Sequence, residues 1–137
     1  MNSWKNQLIA EYDYIFEDCY QIDPPSGWQT IVEQVCAYIH WHNKLHDSQI
    51  QIWKITEING GLKFEVKQAG RGSSITIEEI YGAIHLAEAL STKYCCECGQ
   101  PGEFRKIKVN DGLIYKTLCS DHFMEFEDAV YQQEHKD

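Results

Sequence analysis

Cys95-Cys96-Glu97-Cys98-Gly99-Gln100-Pro101-Gly102, answered further along by Leu118-Cys119-Ser120-Asp121-His122, decides the reading of this 137-residue chain. It spells Cys-x2-Cys, twenty intervening residues and Cys-x2-His, which offers three thiolates and one imidazole to a tetrahedral Zn²⁺. Two cysteines three positions apart reach one ion from a tight turn. Gly99, just past the second, can adopt the positive φ that points backbone N–H groups at the sulfurs. The spacing therefore names Cys95, Cys98, Cys119 and His122 as ligands. Cys96 is a surplus thiol, and a shifted register would put it in the place of Cys95. Four protein ligands leave no open position for an activated water, so the zinc is expected to be structural.

The second ligand pair must be carried back to the first. Residues 103–109 and 113–118 are β-rich runs around Asn110-Asp111-Gly112, and Asp-Gly between such runs signals a hairpin. Such a hairpin returns Cys119 and His122 to the Cys95/Cys98 turn. Ser120 or Asp121 then caps a helix to about Gln133, placing the second pair at a helix N-terminus that favours thiolate. Six cysteines would also allow a disulfide framework. Met1-Asn2-Ser3-Trp4, however, opens an amphipathic segment with no apolar signal core, so a reducing, cytoplasmic setting is expected.

Upstream, Trp4, Leu8, Tyr12, Ile15 and Cys19 recur at helical spacing and predict a helix from residue 3 to about 20, ended by Asp23-Pro24-Pro25. Ser26 and Gln29 read as a capping box for a second helix through about Lys44, burying Trp28, Ile31, Val32, Val35, Cys36 and Ile39. Cys19 and Cys36 belong to the core on this reading. His40, His42 and His46 crowd the end of that helix. His42 and His46, four apart, could share a metal, but their segment lacks the glutamate of a zincin, and a helix C-terminus favours histidine without one. Residues 49–58 and 62–68 form a hairpin across Asn59-Gly60-Gly61, and a parity switch at Trp53 implies a bulge or a strand covered on both faces. Gly70-Arg71-Gly72-Ser73-Ser74 reads as a loop. Thr76 and Glu79 cap a third helix to about Ser91, with Ile77, Ile80, Tyr81, Ile84 and Ala87 inward and His85 at the core edge.

Three pieces of this chain together resemble a family of small phage and prophage proteins. They are Gly27-Trp28 at a helix start, Ile58-Asn59-Gly60-Gly61-Leu62-Lys63-Phe64, and Cys95-x2-Cys98-Gly99-Gln100-Pro101-Gly102 with Leu118-Cys119-x2-His122. The likeness spans about residues 27–122. The chain departs from the pattern where Asn59 replaces a phenylalanine and Glu57-Ile58 a Lys/Glu approach. The resemblance implies a cytoplasmic, zinc-bearing accessory protein and carries over no catalytic residue.

Composition is that of a globular domain, 43% apolar and 24% charged, and no run is long enough to span a membrane. Residues 1–47 and 119–137 each carry a net charge of −5, against +1 for residues 48–118. Acidic ends argue against a general nucleic-acid binder and suit encounter with a basic protein surface, as in immunity proteins and phage inhibitors of host machinery. One local exception, Arg105, Lys106, Lys108 and Lys116 on the ribbon hairpin, supplies the alternative of a nucleic-acid-binding accessory factor. No deaminase His-x-Glu, serine elbow or catalytic carboxylate pair stands out, so a non-enzymatic factor with one protein partner is expected. The fold expected is α+β: three helices with antiparallel β-hairpins and a C-terminal zinc ribbon closed by a helix. Residues 1–92 would form the core and 93–137 the ribbon with its helix.

Overall fold

A computed structural model describes residues 3–70, 74–110 and 112–135. Its elements are α1 (Ser3–Glu11), β1 (Gln21–Ile22), a 3₁₀ turn (Ser26–Trp28) leading into α2 (Gln29–His46), β2 (Ile50–Ile58), β3 (Gly61–Gln68), α3 (Ser74–Ser91), β4 (Glu103–Val109), β5 (Gly112–Leu118) and α4 (Ser120–Glu134). The fold is mixed α+β, with four α-helices among the described residues, the fourth being the one after the second hairpin. The hairpins do not merge. β1-β2-β3 form one sheet and β4-β5 another.

The core lies between α2, α3 and the three-stranded sheet. Trp28 of the 3₁₀ turn and Val32, Val35, Cys36 and Ile39 of α2 meet Ile50, Ile52 and Ile55 of β2, Leu62 and Phe64 of β3, and Ile80, Ile84 and Ala87 of α3. Asn59 and Gly60 form the β2–β3 turn with φ of 51° and 87°. Two successive positive φ values twist a two-residue turn in the sense that matches the strands. The expected bulge is present: Ile52 pairs with Val66 and Lys54 with Glu65, leaving Trp53 as the extra residue, 42% exposed. That strand is also covered on its second face, where Gln51 and Thr56 are buried.

Several boundaries differ from expectation. α1 stops at Glu11, not near residue 20, because the next carbonyls are used by the sheet: Ile52 N–H donates to Ile15 O and the Gln51 amide to Tyr14 O. The chain then turns through i to i−3 bonds and enters β1, an unforeseen short strand parallel to β2. Neither Ser26 nor Trp28 caps α2 with a side chain, and the Gln29 amide donates to Glu33 instead of closing a box. α3 begins at Ser74, so Thr76 lies inside it rather than at its cap. Tyr81 and His85 both prove exposed, stacked on each other at 6.3 Å. Arg71–Ser73 of the glycine-flanked loop and Asp111 of the second turn fall outside the described residues.

Candidate metal centre

The Cys95–Gly102 segment is a tight knuckle whose backbone closes on itself and docks on both neighbours. Gly99 N–H donates to Cys95 O at 2.8 Å, Cys95 N–H to Gln100 O at 2.7 Å, and Gly99 holds φ at 81° as its position required. Gly27 N–H donates to Cys96 O at 2.8 Å, Cys96 N–H to Thr117 O at 2.9 Å, and the Trp28 indole to Tyr94 O at 2.8 Å. Contact at Gly27 is close enough that a β-carbon there would lie 2.2 Å from Cys95 O. From the other hairpin, Thr117 Oγ1 donates to Gly60 O at 2.7 Å, and a β-carbon on Gly60 would meet the Tyr115 backbone and the Phe104 ring. The Gly27-Trp28, Asn59-Gly60-Gly61 and Cys95–Gly102 pieces thus meet in space.

This docking gathers four donors. Cys95 Sγ lies 3.6 Å from His122 Nδ1, Cys119 Sγ lies 3.2 Å from the same nitrogen, and Cys98 and Cys119 sulfurs are 3.8 Å apart. All four ligand atoms fall within 4.8 Å of one another, an arrangement that could hold a metal ion. The cap of α4 is Cys119 itself, whose sulfur accepts the His122 N–H, so neither Ser120 nor Asp121 fills the role expected of it. That N–H, with the nearby His122 ring and two thiols, brings the Cys119 thiol down to about 7. Cys98 receives the Gln100 N–H, which favours its thiolate, but desolvation and the thiols of Cys95 and Cys119 outweigh this and raise it. His122 is raised, chiefly through its bond to Cys119.

The surplus thiol stays apart. Cys96 is 1% exposed and burial pushes its thiol up to about 12, and Cys95, not Cys96, lies within the cluster. Cys36 and Cys19 are likewise raised by burial. The four basic residues of the second hairpin divide between its faces. Arg105 and Lys116 are directly paired and turn toward α4, with the Arg105 guanidinium 4.2 Å from the Phe123 ring centre and Lys116 over Phe126. Arg105 also donates to Leu118 O, and Lys116 lies 4.0 Å from Glu57. Lys106 and Lys108 are exposed on the opposite face. They do not form one patch with the other two.

Sequence reasoning missed one member of a second constellation. His42 and His46 are joined by Glu79 of α3, their ligand atoms again within 4.8 Å. In the sequence Glu79 fits half of a capping box, and only the packing of α3 on α2 brings it to the histidines. His40 stands apart, tilted against Tyr12. No family model, curated protein or solved structure matches this chain. Among the described residues no helix is long and apolar enough to cross a membrane.

Proposed function

We propose that the protein is a zinc-stabilised, non-enzymatic factor that binds one protein partner in a reducing compartment. Around a tetrahedral Zn²⁺, edges come to about 3.8 Å between sulfurs and about 3.6 Å between sulfur and nitrogen. The 3.8, 3.6 and 3.2 Å separations of the Cys3His cluster support zinc and a closed, structural site.

The observation that carries the binding reading is an open groove of about 860 Å³ between α2, α3 and the knuckle. Ile31, Tyr38, Leu86, Leu90, Tyr94 and Cys98 are among the residues lining it. Leu86 is 63% exposed at its rim, and a contiguous apolar surface of this kind is what a partner's anchor residues fill. A metal ligand contributes to the wall, so zinc shapes the surface as well as the fold. The net charge of −9 favours a basic partner and speeds its approach. An immunity factor or a phage-borne inhibitor of a basic host enzyme has these properties.

The test uses the full chain as bait in lysate of its own host, alongside Leu86→Asp and Leu90→Asp. One basic protein retained in stoichiometric amount by the parent, released by salt and lost from both variants is the expected result. Equal retention by the variants would remove the groove from the account. Retention of nucleic acid that Lys106→Glu abolishes would replace the reading with the nucleic-acid alternative.

A further inference from the structure

We infer that His42, His46 and Glu79 form a second, weaker divalent-metal site that bridges α2 and α3. His42 and His46 are one turn apart on α2, with ring centres 4.4 Å apart, and Glu79 reaches them from α3. His42 Nε2 and Glu79 Oε2 are separated by 3.1 Å. Two ligands of one first-row ion are held at about 2.9 Å in octahedral and about 3.4 Å in tetrahedral geometry, so the two groups already sit at a ligand–ligand edge. His42 is fully buried, and Tyr38 and His46 flank its ring, so the donor is held in place before any ion arrives. His46 and Glu79 are exposed, and water completes the shell. Two imidazoles and one carboxylate suit Zn²⁺, Co²⁺ or Ni²⁺ rather than Mg²⁺ or Ca²⁺.

The same details set its strength and its chemistry. With a metal on Nε2, the neutral ring carries its proton on Nδ1, and His42 Nδ1 is buried without a hydrogen-bond partner among the described residues. Outer partners of that kind contribute about 10–100-fold in affinity, so this site binds far more weakly than the Cys3His cluster and exchanges its ion. Hydrolysis of the zincin type needs a glutamate base next to the first histidine. Asn43 stands there, its side-chain amide donating to Ile50 O and its Oδ1 accepting from the Ser48 hydroxyl and the Ile50 N–H. The site therefore clips two helices together and lacks the zincin glutamate beside its first histidine.

The test titrates Zn²⁺ into the untagged full chain already holding its first equivalent, read by calorimetry and native mass spectrometry. A second equivalent is expected in the parent. His46→Ala and Glu79→Gln, both at exposed positions that leave the fold intact, should each weaken it at least about tenfold, since loss of a direct ligand exceeds an outer-shell effect. Co²⁺ at this site should absorb in the visible without a sulfur-to-cobalt charge-transfer band. No second equivalent, one unchanged in both variants, or one carrying the sulfur band would each overturn the assignment.

Discussion

At the level of single residues, the decisive distinction is between Cys95 and Cys96. Spacing alone offered both, since either can start a Cys-x2-Cys-like turn with little change in register. The structure separates them by environment: Cys96 is sealed between Gly27 and Thr117 with its thiol pushed up to about 12, whereas Cys95 faces His122 at 3.6 Å. The Cys96 sulfur is not among the four donor atoms that lie within 4.8 Å of one another, and that of Cys95 is. Cys96→Ala should therefore retain one zinc per chain and lose about 1 kcal/mol of stability from the lost packing. Cys95→Ala should fall below stoichiometric zinc. Metal analysis of the two purified variants checks this, and the reverse pattern would move the register by one residue. Cys119 was legible as a member of the Cys3His cluster, but its duty as the cap of α4 was not. Hydroxyl and carboxylate caps have familiar sequence signatures, and a sulfur that accepts the His122 N–H does not.

Secondary-structure elements were legible where their periodicity and turn residues agreed. The β2–β3 hairpin, its bulge at Trp53 and the end of α3 at Ser91 came from alternation, Asn-Gly and helical spacing. What pattern could not see was competition between elements. Residues 12–19 have helical spacing, yet β2 takes the Tyr14 and Ile15 carbonyls and the helix gives way. Glu79 looked like a cap and instead faces a histidine on another helix. Close docking of elements also makes opposite predictions for two glycines. Gly27→Ala places a β-carbon 2.2 Å from the Cys95 carbonyl, so the 3₁₀ turn and the knuckle must separate at a cost of about 1–3 kcal/mol. Gly82, on α3, has nothing within 4 Å of a β-carbon, and Gly82→Ala should raise stability by about 0.5–1 kcal/mol. Thermal melting of the pair with zinc present reads both. Equal shifts would show that the knuckle is not seated on the turn as described.

For the molecule as a whole, the Cys3His cluster brings the knuckle together with the end of the second hairpin and the start of α4. The second hairpin and α4 carry no large buried core of their own: Ile107 and Leu118 are their buried apolar residues, and α4 has none. This third of the chain is held by Val109, Phe123 and Phe126 packed half-buried against the core, the Gly60 contact, the knuckle's bonds to Gly27 and Thr117, and the ion the four ligands would share. In small zinc modules metal binding supplies about 10–16 kcal/mol of folding free energy, more than such sparse packing can replace. The central claim is thus that zinc is part of the fold. The most direct measurement is native mass spectrometry of the chain purified without added metal, followed by thermal melting of the same sample with and without a strong chelator. One tightly held Zn²⁺ per chain, and a melting temperature that falls sharply as it is withdrawn, are predicted. A metal-free chain, or one that melts identically after its zinc is removed, would contradict the account.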